Sequence, residues 1–395
     1  MNRPYQSWID WLKVLGMAVI IFGHSGGHAL IPDVFNPINA KQLGVAFFVF
    51  ITAFTLAGEK RSAAHAVFNR FFDVFVLGVL LTLFLSVVQW FRIGDVNESN
   101  YLPFVFGLNV VWENAFPANP TTWYVGTYFH LLVAWALVLR FLPCRPAVFA
   151  GLLVVEIGVR SVLMGKENDF NAYMVLTSWL TVFFIGTWLG RRTGGDAGRI
   201  LRSGAVGDLS ATGTPVTSGG LVWRPLLRRT LLVMAIGLLM AGWLAMVTTL
   251  DVTKSNPFGR IPAGGDVTTA LVSSAAVTVE YAAYTLLIFA FFLGLPANRL
   301  VRFLSQNTLF VFLAHMPFRD LVTPYYYPLL PGGWVRQIAN FFVLFVMLAC
   351  VSHLLRKGLR LESLKRQIGR RFFRDHDNRA SDLVVAAESP IAPRP

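Results

Sequence analysis

Charge is what this chain has least of. Asp, Glu, Lys and Arg make up 14% of its 395 residues, where a soluble domain carries about 25%. With 55% hydrophobic residues and a mean hydropathy of +0.57, that deficit argues against a water-soluble fold. Cysteine is scarce as well: with only Cys144 and Cys350, no disulfide framework is implied. The strict apolar–polar alternation of barrel strands is missing. So is a small-residue cleavage motif after the first hydrophobic segment, which keeps Asp10 and Lys13 and is not a signal peptide. No convincing repeat relates residues 1–190 to 225–356, such as many transporters show.

Long apolar runs are what the chain does have. Candidate spans lie at about 9–29, 43–58, 70–91, 123–141, 147–163, 173–190, 226–249, 267–294, 300–318 and 334–356, most of them near the roughly 20 residues that cross a bilayer core. Only helices or closed barrels satisfy every backbone group in lipid. The expectation is therefore an all-α, polytopic integral membrane protein of about ten transmembrane helices. Lys and Arg crowd alternate connections: Lys60, Arg61 and Arg70; Arg140 and Arg145; seven arginines from Arg191 to Arg229; Arg299 and Arg302; and the tail from Arg356 to Arg374. The intervening connections are poor in both, which places both termini in the cytoplasm. The net charge of +13 is then flanking charge for anionic membrane lipids and needs no nucleic-acid partner. Residues 1–356 form the transmembrane domain, 357–375 a basic amphipathic helix on the inner surface, and 376–395 a disordered cytoplasmic tail. The Gly/Ser/Thr-rich stretch 193–222 reads as a flexible loop.

Against this apolar background the first span carries Asp10, Lys13, His24 and His28. Eleven residues bring a helix back to nearly the same face, so Lys13 and His24 share a stripe about 16 Å long. Asp10 and His28 join it at i,i+3 and i,i+4 spacing. Ionisable side chains in a membrane helix usually face a protein interior or a water-filled path, so the stripe reads as one wall of a polar site. With odd spans running outward, His24, His315, Arg160 and His130 are expected at similar outer depth on different helices. Glu156 and Arg160 form an i,i+4 pair that serves equally as a structural ion pair or a substrate contact. Trp123 opens its span where aromatic belts are ordinary.

Four segments resemble the membrane-bound acyltransferase 3 family. Lys13, ten residues, then His24-Ser25 is similar to its first-helix pattern of a basic residue, ten residues and His. Phe47-Phe48-Val-Phe-Ile-Thr52-Ala53-Phe54 is similar to a Phe-Phe-x-x-Ser-Gly-Phe segment, and Trp123-Tyr124-Val to a Leu-Trp-Phe-Leu segment. Leu304-Ser-Gln-Asn-Thr-Leu-Phe-Val-Phe-Leu-Ala-His315-Met-Pro317 is similar to a late helix reading Ser-x-x-x-Tyr-x-x-His-x-Pro. The chain departs from the family with Lys13 for Arg, Thr52-Ala53 for Ser-Gly, and Phe310 or Phe312 for Tyr.

The resemblance implies a multi-pass enzyme of the inner, cytoplasmic membrane. It would move an acetyl or succinyl group from cytoplasmic acyl-CoA, a donor substrate rather than a bound cofactor, to a hydroxyl of an extracytoplasmic glycan, lipid or small molecule. No metal is implied. Lys13 with Arg70 would meet the donor phosphates, and Asp10 would position Lys13. His24 would act as general base. His315 and Arg160 are candidates for the oxyanion or for a donor carboxylate, with Glu156 and Trp123 beside the substrate. Two other classes compete: a proton-coupled transporter or flippase using the Asp10, Lys13 and His24 stripe, and a catalytically inactive partner protein.

Overall fold

A computed structural model describes residues 6–24, 40–94, 106–111, 123–165, 169–194, 229–239, 241, 267–331 and 333–373. These residues are helical with no strand among them. Among them helices fall within the expected spans: α1 Ser7–His24, α2 Ala40–Leu56, α3 Ala63–Ile93, α4 Leu108–Val111 (outside the expected set), α5 Trp123–Leu137 and α6 Pro146–Gly165. There follow α7 Asp169–Met174, α8 Leu180–Gly194, α9 Arg229–Leu239, α10 Val267–Phe292, α11 Arg299–Tyr326, α12 Trp334–Gly358 and α13 over 361–373. Five stretches are long and apolar enough to cross a membrane: Ser7–His24, Ala63–Phe91, Pro146–Gly165, Val267–Phe292 and Trp334–Gly358. Phe84, Trp90 and Phe91 of α3 are more than half exposed, an apolar surface suited to lipid and not to water. The chain is an all-α membrane protein.

Local chemistry sets the helix ends. Ser62 caps α3 by accepting from the His65 N–H, and Gly94 closes it in the left-handed region at φ 69° with its own N–H on the Trp90 carbonyl. Asn298 caps α11 through the Val301 N–H at 2.9 Å. The expected span 300–318 runs on to Tyr326 despite Pro317 and Pro324, because each proline removes one ladder bond without reversing the helical φ. The expected span 173–190 is instead broken: α7 ends at Met174, a 3-10 turn covers Leu176–Trp179, and α8 starts at Leu180.

Helix α2 is the hub. A side chain at Gly44 would strike the Gly16 carbonyl where α1 and α2 cross, and one at Gly16 would crowd the Gly44 carbonyl at 3.1 Å. A Cβ at Gly186 would fall 2.6 Å from the Phe50 carbonyl, and Gly190 meets the Phe54 carbonyl in the same way. Such small residues let helix backbones approach closely where the hydrophobic effect gives no drive between helices. The grip of α1 and α8 on α2 holds Lys13, one turn below Gly16, against the Phe48–Thr55 face. Helix α13 packs on the start of α3: Leu361 is buried, Phe373 stacks on His65 with ring centroids 5.0 Å apart, and Lys365 and Arg356 reach Asp73 at 3.3 and 2.8 Å. Its Arg366, Arg370 and Arg371 are exposed. The tail from 374, His28 and most of the 193–222 stretch lie outside the described residues.

Candidate active site

One uninterrupted helix carries Asp10, Lys13 and His24, so their spacing along α1 follows from helical rise alone. The Asp10 carboxylate accepts from Ser305 Oγ of α11 at 2.5 Å and stands within coulombic reach of Lys13. Lys13 lines a cavity of about 310 Å3 at the centre of α1, α2, α3, α5 and α11. Arg70 also lines it, as do Thr52, Tyr124, Tyr128 and Phe312. Arg70 does not hang loose: its Nη1 donates to Glu59 at 2.9 Å, and Glu59 also takes Arg61 at 2.7 Å. Burial works to raise the Glu59 carboxyl, but hydrogen bonds and charge from Arg61 and Arg70 outweigh it and hold it at about 2. Glu59 is therefore an anion near neutral pH and fixes the direction of Arg70.

At the far end of α1, His24 meets His315. Nδ1 of His24 lies 2.8 Å from Nε2 of His315, and the rings stack with centroids 5.0 Å apart at 18°. His315 is fully buried, and its Nδ1 lies 2.7 Å from the Phe312 carbonyl. A carbonyl only accepts, so Nδ1 of His315 carries the proton. In the neutral ring Nε2 then holds the lone pair, and His24 donates to it through Nδ1. The His24 lone pair is thereby placed on Nε2. The pair thus selects the tautomer of His24 in which Nε2 is a base. The Phe312 carbonyl stands one residue before that of Leu313, which Pro317 deprives of its ladder N–H, and helices loosen at such gaps. Arg319 donates to the His24 carbonyl at 2.7 Å and pairs with Asp320 at 2.6 Å, which satisfies a carbonyl at the end of α1. The cavity and the pair share a wall: the Phe312 ring lines the cavity and lies 6.0 Å from the His315 ring.

A histidine pair on one side of an aromatic wall and two basic side chains lining the adjoining cavity suit transfer from an anionic carrier. The family model described as an acyltransferase domain, that of acyltransferase 3, matches residues 6–356. The chain belongs to the acyltransferase 3 family. No curated protein and no solved structure gives a significant match. The matched range contains Asp10, Lys13, Arg70, His24 and His315, so the whole of this site lies in the acyltransferase domain.

Of the residues singled out in the sequence, the acyltransferase brings Lys13 and Arg70 to one cavity and joins His24 to His315. It does not bring Arg160, Glu156, Trp123 or His130 to them. Arg160 is buried beside Glu156 at 2.8 Å and also donates to the Ser274 carbonyl at 3.1 Å, the Ser178 carbonyl at 2.6 Å and Thr278 Oγ1 at 2.5 Å. Glu156 takes the Thr181 N–H at 2.7 Å. The break between α7 and α8 leaves the Ser178 carbonyl and the Thr181 N–H needing partners in an apolar interior, and this pair supplies them. Trp123 is buried in a stack with Trp179, centroids 6.4 Å apart, which continues to Tyr281. His130 bonds the Phe106 carbonyl at 3.2 Å. Neither role considered for His315, toward the oxyanion or toward a donor carboxylate, fits its hydrogen bonds: one ring nitrogen donates to Phe312 and the other accepts from His24, which leaves no N–H for an anion. Glu59, Arg319 and Tyr128 went unnoticed in the sequence, and Ser305 and Tyr124 were quoted within motifs without a role. Only Arg319, one turn after His315, carried a signal there. Among the described residues, no group of three or more His, Cys, Asp or Glu is placed to hold a metal ion.

Proposed function

We propose that this membrane acyltransferase takes an acetyl or succinyl group from cytoplasmic acyl-CoA and esterifies a hydroxyl of an extracytoplasmic glycan, lipid or small molecule. The observation that carries this reading is the His24–His315 pair beside a cavity that Lys13 and Arg70 line. In this reading the chain crosses the inner membrane ten times with both termini in the cytoplasm, so that Lys13 and Arg70 stand at the inner mouth. The donor phosphates lie on these two cations. Lys13 acts as a point charge, whereas Arg70 offers a planar fork. The pantetheine arm follows the α1 stripe for about 16 Å, and its thioester reaches the wall that Phe312 shares with His315.

His24 Nε2 then takes the proton of the acceptor hydroxyl as that oxygen attacks the thioester carbon. The tetrahedral adduct collapses, the C–S bond breaks, and the CoA sulfur leaves with the proton held by Nε2. The products are the ester and CoA thiol. While His24 is cationic, its Nδ1–H bond to His315 strengthens. His315 acts through His24 and is a positioning residue; it has the place that a carboxylate occupies in a hydrolase triad. A direct test is isothermal titration of the purified protein in nanodiscs with acetyl-CoA and succinyl-CoA. Saturable binding of either, weakened by Lys13→Ala, is expected. Failure to bind both overturns the donor assignment.

A further inference from the structure

We propose that the Tyr124 hydroxyl is the hydrogen-bond donor that receives the thioester carbonyl oxygen of the acyl donor. The inference rests on the reading of the cavity as the donor site and adds to it a residue that the sequence patterns gave no role. Tyr124 is 8% exposed, and its ring lines the cavity. Its hydroxyl is buried and has no hydrogen-bond partner among the described residues. Tyr128, one turn further along α5, lines the same cavity but bonds Thr52. One of two neighbouring phenols is therefore satisfied by the fold and the other is not.

Buried polar atoms in native proteins are nearly always paired, because leaving one unpaired forfeits its hydration without replacement. A phenol kept in that condition on a cavity wall is matched to a partner that arrives with a ligand. Its surroundings make such a bond strong: Phe312 packs edge-on at 5.3 Å and Phe48 lies at 6.4 Å, so little polar medium competes. Its place identifies the ligand atom. Lys13 and Arg70 line the same cavity as Tyr124, and Tyr124 and His315 both pack against the Phe312 ring. A donor whose phosphates sit on the cations presents its acyl end there. The acceptor oxygen at that end is the thioester carbonyl, which gains negative charge when the hydroxyl attacks. A fixed O–H aimed at it then binds more strongly than in the ground state.

The variant Tyr124→Phe keeps the ring and deletes only the hydroxyl. Purified wild type and variant, in nanodiscs, are titrated with acetyl-CoA and with CoA, which lacks the carbonyl. The variant should bind acetyl-CoA about two- to tenfold more weakly, the range of one neutral hydrogen bond, and bind CoA as the wild type does. Its thermal midpoint without ligand should be unchanged or higher, since no partner is lost. Unchanged acetyl-CoA affinity in the variant, with wild type binding normally, overturns the Tyr124 assignment and leaves the donor site standing. Equal losses for acetyl-CoA and CoA move the contact down the arm and overturn the carbonyl assignment. A lower midpoint overturns the premise that the hydroxyl is unpaired. If the wild type binds neither ligand, the donor reading fails and this inference fails with it.

Discussion

Replacing His315 probes the tautomer selection without touching the base itself. In the ground state the His24–His315 bond joins two neutral rings, a type worth about 0.5–1.5 kcal/mol; once His24 is protonated it becomes a charged bond, worth about 1.5–3 kcal/mol. Only the difference, about 1–1.5 kcal/mol, accelerates the chemistry. Losing control of which His24 nitrogen carries the proton adds a few tenths more. His315→Ala should therefore lower kcat about tenfold to twentyfold and leave the KM for acyl-CoA near the wild-type value. Loss of the base itself, in His24→Ala, should cost about 10²–10⁴. His315→Gln offers a carbonyl oxygen where Nε2 stood, still accepts from His24 Nδ1, and should recover most of the loss. The assay follows label from acetyl-CoA or succinyl-CoA into base-labile product, using membranes of the expressing host. Because His315 acts only through His24, the double variant should be no slower than His24→Ala alone. Losses that multiply in the double variant would refute the relay.

The remaining predictions concern other parts of the molecule. Lys13→Ala should raise the KM for acyl-CoA more than it lowers kcat, while Lys13→Arg should hold or improve donor use by adding a planar fork for phosphate; steady-state kinetics separate these. Arg160→Ala should cost about 3–5 kcal/mol by leaving Glu156 buried and unpaired. It should be read as lost folded yield after detergent extraction, with KM for donor and acceptor unchanged in what survives. Normal yield with a raised KM would instead make Arg160 a substrate contact. Glu59 titrates lower in the folded protein, at about 2, than its ordinary 4.5, so its contribution is complete above that ordinary value and is lost as pH falls toward 2. The difference in thermal midpoint between wild type and Glu59→Gln should accordingly shrink with acid across that window, and a difference that grows would reverse the sign assigned to the Arg61 and Arg70 contacts.

What was legible in the sequence was what a helix repeats. The stripe of Asp10, Lys13 and His24 follows from 3.6 residues per turn, and α1 carries it as expected. Among the described residues helices also fall within the expected apolar spans, and five of them are long and apolar enough to cross a membrane, since apolar runs of that length have few other solutions in lipid. What failed was azimuth. Charge alternation orders residues by depth but does not say which way each helix turns its face. Of four residues expected at one depth, only His24 and His315 meet. Arg160, on α6, instead bonds the Ser178 carbonyl at the break between α7 and α8, a break that a hydropathy run from 173 to 190 does not register. Loop chemistry was equally hidden: Glu59 lies among Lys60 and Arg61 and reads as surface charge until the fold lays Arg70 against it.

The most direct measurement compares the native host, a deletion strain, and the deletion complemented with His24→Ala. Mass spectrometry of envelope glycans, lipids and secreted metabolites would look for base-labile acyl esters. The account requires an ester in the native host that is absent from the deletion and not restored by membrane-inserted His24→Ala. An ester restored by His24→Ala would remove that residue from the chemistry. Identical esters in host and deletion would contradict acyl transfer by this protein to an extracytoplasmic hydroxyl.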